Sequence, residues 1–332
     1  MQRMKTNYLL AAGLALVFFV GCGRNTGYVI KPVSLDERLT ETTILADRGL
    51  FVSDTIAIID VQGLLMNQER PSLMGKEDNP VSLFIEKLDK AQDDPNLKAV
   101  VLRVNSPGGG VTASDIMYHR LMQFRRAKNV PVVVMIEDVG ASGAYYIACG
   151  GDTIMAHPTA VTGSIGVIVE QFSFYGAMTK LGITAKAVKS GDLKDMGSPF
   201  KPLDERDSQV IQTLVTDMYN RFVDVVAKGR PRLAKEKVLQ LADGRVYSGD
   251  QALANGLVDQ LGYMNDAIAV AKARCGAARV KVVMYHRPLG YVANAYSAAA
   301  GGVQPQMNLI NITAPDLLDM TRPQFLYLWT GK

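Results

Sequence analysis

Three short runs of almost unbroken aliphatic residues constrain this chain most. Thr55-Ile56-Ala57-Ile58-Ile59-Asp60-Val61, Lys98-Ala99-Val100-Val101-Leu102-Arg103-Val104 and Pro131-Val132-Val133-Val134-Met135-Ile136 carry branched apolar side chains on successive positions. A strand with one wet face alternates apolar and polar residues, so these read as strands buried on both faces. That burial calls for helices on each side of a parallel sheet. Helical spacing follows each time: Leu83, Phe84, Leu88 and Ala91 within Val81 to Asp93, stopped by Asp94-Pro95, and then Val111 to Arg126. Asp207 to Lys228 and Tyr263 to Arg274 add two more amphipathic helices, and no internal repeat is present. The alternation predicts an α/β fold with a largely parallel sheet.

Composition narrows the chemistry. With 332 residues, 48% hydrophobic, the chain can bury a sizeable core. Its 36 Lys and Arg against 32 Asp and Glu leave a net charge of +4 spread along the sequence, which gives no case for a nucleic-acid partner. Three cysteines at irregular positions exclude a disulfide scaffold and a thiolate zinc site, and neither a metal nor a cofactor is implied. Only His119, His157 and His286 remain for histidine chemistry.

The N-terminus reads as an export signal. Arg3 and Lys5 precede an uncharged stretch from Thr6 to Gly23 that is apolar from Leu9 to Val20 and short for a spanning helix. It closes on Phe19-Val20-Gly21-Cys22, which resembles a bacterial lipobox except that Phe19 stands where leucine is usual. Two readings follow: removal of residues 1–21 with a lipid on Cys22, or an uncleaved signal anchor. Both leave the body outside the cytoplasm, attached to a bacterial membrane. The expected organisation is the signal over 1–21, a linker over 22–50, one catalytic domain over 51–275 and a tail over 276–332.

Chemistry is expected beyond the carboxyl ends of the strands. The second strand runs into Asn105-Ser106-Pro107-Gly108-Gly109-Gly110. Three glycines let the backbone pass close to a ligand with its N–H groups free, which suits an oxyanion. A plain turn is the alternative, while a phosphate loop lacks its Gly-Lys-Ser/Thr. The third strand runs into Gly140-Ala141-Ser142-Gly143-Ala144-Tyr145-Tyr146. Ser142 at the start of an apolar helix reads either as a nucleophile beside the Gly143 amide or as a simple N-cap. Cys149, on the helix's apolar continuation, reads as core. A nucleophilic serine needs a base. His157, at a strand end, is one candidate, and a lysine whose ammonium is destabilised by burial is the other. Lys194, in the loop Lys189 to Pro199 after a strand-like Thr184 to Val188, is that lysine, or else a solvated charge.

In order and spacing, the segments Asn105 to Gly110, Ala141 to Tyr146, Thr162-Gly163-Ser164-Ile165-Gly166-Val167 and Ser190-Gly191-Asp192-Leu193-Lys194-Asp195 resemble the signal peptide peptidase A family of serine proteases. The likeness continues through Gly244 to Gly249 and Ala252 to Asp259, and covers about Thr55 to Ala271. It implies a Clp-protease/crotonase-like fold of repeated β-β-α units and a Ser/Lys dyad. Ser142 would be the nucleophile, Lys194 the general base and Ser164 the hydroxyl that orients the lysine. Gly109 and Gly143 would supply the oxyanion hole. One copy of the motif set is similar to the half-length members, in which a neighbouring subunit of a ring, an octamer, contributes the lysine. The implied substrates are membrane-retained signal peptides held in extended form. His157 departs from the family's Asn before Pro158. Two other classes stay open: a crotonase-like acyl-CoA enzyme working through carboxylates such as Glu137 or Asp138, and a noncatalytic membrane scaffold.

Overall fold

The computed structural model describes residues 38–68, 70–72, 75–288 and 324–331. The export signal and Cys22 lie outside them. Among the described residues, no helix is long and apolar enough to cross a membrane.

In chain order the strands are β1 (Thr40–Ala46), β2 (Thr55–Gln62), β3 (Arg70–Ser72), β4 (Gly75–Glu77), β5 (Leu97–Ser106), β6 (Gly108–Gly110) and β7 (Val132–Ala141). They continue as β8 (Thr153–Ala156), β9 (Val161–Gly163), β10 (Val246–Ser248), β11 (Gln260–Leu261), β12 (Lys281–His286) and β13 (Leu326–Leu328). The main sheet runs β1-β12-β2-β5-β7-β8-β11, with β9 on β7 and β10 on β9. The pairs β12–β2, β2–β5, β5–β7, β7–β8, β7–β9 and β8–β11 are parallel; β1 and β10 join antiparallel. The α/β architecture with a largely parallel sheet is therefore the one observed.

Both faces of the three aliphatic runs are covered. Ala57, Ile59, Val61, Val100, Leu102, Val104, Val132, Val134 and Ile136 pack against the helices Pro80–Asp93, Val111–Lys128, Gly143–Ala148 and Glu205–Gly229. The intervening Ile56, Ile58, Ala99, Val101, Val133 and Met135 meet Met264, Ala267, Ile268 and Ala271 of the helix Met264–Cys275. Each such fully buried side chain contributes about 1.5–3 kcal/mol, which explains why these runs carry no polar face. The buried charges inside the sheet neutralise each other: Asp60 of β2 accepts from Arg103 of β5 at 2.7 Å and from Lys87 at 2.8 Å.

The sheet reaches past 51–275 on both sides. β1 lies in the stretch read as a linker and β12 in the stretch read as a tail, and the two pair with each other. In β1 only Thr42 and Ile44 are half-buried and the residues on either side of each are exposed, the pattern of an edge strand. Thr184 to Val188 does not form the expected strand. Its residues are exposed and find no sheet edge to pair with, so their β-branched composition has nothing to act on.

Candidate active site

β7 is the strand that builds the site. Its first half pairs with β8 and its last three residues with β9, so the sheet forks around its carboxyl end. Ser142 follows the last residue of β7, and the helix Gly143–Ala148 starts directly after it. The turn forces Ser142 to φ 54° and ψ −118°, a conformation that costs a non-glycine residue of order 1–3 kcal/mol. The surroundings hold it there. The Ser142 amide donates to the Gly163 carbonyl at 2.7 Å, and the Tyr146 amide donates to the Ser142 carbonyl at 2.9 Å. Tyr145 hydroxyl donates to the Leu257 carbonyl at 2.7 Å. Tyr146 hydroxyl donates to Asp115 at 2.6 Å, and Arg221 grips the same carboxylate.

The N-cap reading of Ser142 does not hold. The residue occupies the cap position, yet its side chain caps nothing, and among the described residues its hydroxyl makes no hydrogen bond although the residue is only 1% exposed. A hydroxyl that caps nothing, on a strained turn of a residue left only 1% exposed, is a candidate for chemistry instead.

The glycine run approaches from β5 and β6. A Cβ on Gly108 would stand 2.7 Å from the Gly143 nitrogen, and one on Gly109 would stand 2.1 Å from the Leu65 carbonyl oxygen. Only glycines allow this backbone-on-backbone packing, which brings the Gly108–Gly110 strand against the start of the Ser142 helix. The Gly143 amide, first in its helix, has no acceptor within that helix. On its other side β6 pairs antiparallel with β13, Tyr327 opposite Gly109, and Ile168 bridges to Leu326. The Tyr327 ring is buried between Tyr146 and Phe222.

Ser164 lies beside Ser142. Ala141 pairs with Gly163 across β7 and β9, and each serine is the first residue after its strand. Ser164 is 6% exposed, also holds a positive φ (49°), and donates its amide to the Arg245 carbonyl at 2.8 Å.

Lys194 is elsewhere in its surroundings. It sits in the 3₁₀ turn Asp192–Asp195, exposed, and among the described residues its side chain makes no hydrogen bond or ion pair. Within one chain the structure does not join Lys194 to Ser142 by a hydrogen bond, nor does it bury the amine. The segment that carries it, from Phe172 to Leu203, exposes apolar side chains, among them Phe174, Leu181, Ile183 and Val188, the last 99% exposed.

The other candidates separate from this site. Cys149 is buried in the core and burial pushes its thiol up to about 12, which removes the thiolate at ordinary pH. His157 Nδ1 is hydrogen-bonded to the Thr159 hydroxyl at 2.8 Å. With Glu137 and Asp138 it lines a cleft of about 550 Å³ that also takes in Gln62, Asn105 and Met135, but none of Gly109, Ser142 or Gly143. Burial raises the Glu137 carboxyl above its usual range, partly offset by Arg103, and its Oε1 finds no hydrogen-bond partner.

The chain matches the profile of peptidase family S49 over residues 124–278. It is 40% identical over 230 residues to a protein of Enterococcus faecium named as a signal peptide peptidase, SppA, an overlap of 69% of this chain and 66% of that protein. A Synechocystis protein named as a protease, slr0021, is 37% identical over 212 residues, 64% of this chain and 71% of its own length. Protease 4 of Haemophilus influenzae is 36% identical over 243 residues, 72% of this chain but 38% of the longer relative. A strained serine between a glycine-lined strand and a short helix, together with these likenesses, places the chain in peptidase family S49, the signal peptide peptidase A family.

Proposed function

We propose that the protein is a serine endopeptidase with Ser142 as nucleophile and Lys194 as general base, acting on extended peptides such as signal peptides retained in the membrane after export. The observation that carries this reading is Ser142 itself: a residue only 1% exposed on a strained turn, whose hydroxyl makes no hydrogen bond among the described residues, set beside the Gly108–Gly110 strand and the Gly143 amide.

The neutral Lys194 amine removes the Ser142 proton as Oγ attacks the peptide carbonyl carbon. Negative charge moves to the carbonyl oxygen, where the Gly109 and Gly143 amides hold it; one such donor is worth about 10²–10³ in rate. The lysine ammonium then protonates the departing amine, leaving an ester on Ser142 that water hydrolyses with the same lysine as base. Ser164, which follows the β9 residue paired with Ala141, would orient that amine.

The resemblance to the half-length members implies that a second copy in a ring, an octamer, supplies the lysine, and the exposure of Lys194 beside a buried Ser142 in one chain is compatible with that. The apolar side chains of the Phe172–Leu203 segment support this, since docking on a neighbour would cover them and desolvate the amine together. Strand addition is the binding mode that suits an extended peptide; within one chain the edge of β6 is taken by β13, with Tyr327 opposite Gly109, so a peptide pairing there would replace that strand. Cys22 or an uncleaved signal would tether the ring to the membrane. The reading is tested by peptide turnover in detergent. Ser142→Ala and Lys194→Met should each lose at least about 10³-fold in kcat while the ring persists. Turnover by Ser142→Ala at the parent rate would overturn it.

A further inference from the structure

Lys194 stands on a loop with no apolar core of its own. Backbone bonds shape the turn: Lys194 amide to the Gly191 carbonyl at 3.1 Å, Met196 amide to Leu193 carbonyl at 3.0 Å and Ser198 amide to Asp195 carbonyl at 3.0 Å. Beside hydrogen bonds from the Phe174 amide to the Pro199 carbonyl at 2.7 Å and from the Ser173 hydroxyl to the Lys201 carbonyl at 2.9 Å, a chain of charges ties the turn to the rest of the fold. Lys189 donates to the Asp192 carbonyl at 2.7 Å and to Asp195 Oδ1 at 2.8 Å. Lys201 reaches the same Oδ1 at 3.1 Å and Asp207 Oδ2 at 2.6 Å. Asp207 is rooted in the first turn of the helix Glu205–Gly229, only 4% exposed, and its Oδ2 also accepts from the Gly197 amide at 3.4 Å.

We propose that Lys189, Asp195, Lys201 and Asp207 act as positioning residues for Lys194: they brace its turn against the helix and neutralise the carboxylate next to it. This rests on the reading of Lys194 as the base. An unpaired Asp195 beside the lysine would favour the ammonium form, which cannot take a proton, so a base at this position needs its neighbouring carboxylate already occupied. Two ammonium groups occupy it here. The remaining charges around the turn are balanced: Asp192 faces Arg206 at 3.9 Å, and Arg206 is held by Asp204. Ser142 and Ser164, which the lysine would meet, are uncharged.

The proposal predicts pH shifts of opposite sign, which a merely structural role would not produce. The experiment is the pH profile of kcat/KM for the full-length protein in detergent, with Tm and ring size recorded for each variant. Asp195→Asn leaves two cations unneutralised, so the alkaline rise of activity should move down by about 0.5–1 pH unit, with kcat on the plateau lower by about tenfold from lost positioning. Lys201→Met removes a cation and should move the rise to higher pH by a similar amount. Asp195→Glu should restore most of the plateau. Shifts in the same direction for Asp195→Asn and Lys201→Met, or unchanged profiles with intact rings, overturn the brace. Undiminished turnover by Lys194→Met instead overturns the dyad on which it rests, so the two failures are told apart.

Discussion

The Ser142 amide donates to the carbonyl of Gly163 at 2.7 Å, and this one bond ties the nucleophile's turn to the strand that ends in Ser164. Both serines hold a positive φ, so both hydroxyls are aimed by backbone strain that the β7–β9 pairing sustains. Thr162 strengthens the same seam by donating its hydroxyl to the Gly140 carbonyl at 2.7 Å. Thr162→Val should therefore cost about 1–2 kcal/mol and lower kcat more than it raises KM, because the two serines lose their register. Chemical denaturation and steady-state kinetics on one preparation check this.

Glycine packing makes a second expectation. A methyl at Gly109 would meet the Leu65 backbone, which cannot swing aside. Gly109→Ala should lose about 1–3 kcal/mol of stability and most activity. Thermal melts and peptide turnover of the variant check it.

If a second copy supplies the lysine, two inactive chains can repair each other. Co-assembly of Ser142→Ala with Lys194→Met should regain measurable turnover, since some sites then combine an intact Ser142 with an intact Lys194. Mixed rings that stay silent would place both groups in one chain.

Acid stability should depend on Asp259. Burial raises its carboxyl, but hydrogen bonds from Arg230 and the Ile154 amide outweigh that and hold it below the usual value near about 3.9. A carboxyl whose folded value lies below its unfolded one contributes stability that is full above about pH 4 and fades as pH falls through the folded value. The Tm gap between parent and Asp259→Asn should thus be wide at pH 7 and close below about pH 4.

Glu137 runs the other way. Its carboxyl is raised by burial, so it favours the fold at low pH and opposes it once ionised. Glu137→Gln should raise Tm at pH 7–8 without loss of peptide turnover. A loss comparable with that of Ser142→Ala would revive carboxylate chemistry in its cleft.

Much of this was legible in the amino acids. The three aliphatic runs announced buried parallel strands because continuous branched residues suit no other environment, and Ser142, Gly109, Gly143 and Ser164 fell on motifs at strand ends. The edge strand β1 was missed because Thr-Glu-Thr-Thr is polar, and a half-exposed edge needs little apolar surface. Thr184 to Val188 misled for the opposite reason: strand propensity is realised only where a neighbour offers hydrogen bonds. The cap role of Ser142 could not be decided from residue type, since capping and catalysis ask for the same hydroxyl at the same position. The brace around Lys194 joins residues up to Asp207, and no local pattern marks which aspartate meets which lysine.

If Lys194 activates Ser142 as a nucleophile, labelling the full-length protein with a fluorophosphonate and locating the adduct by mass spectrometry will show it. A single adduct should form on Ser142, faster as pH rises, and be lost in Lys194→Met rings; no adduct on Ser142, or equal labelling without Lys194, would rule the dyad out.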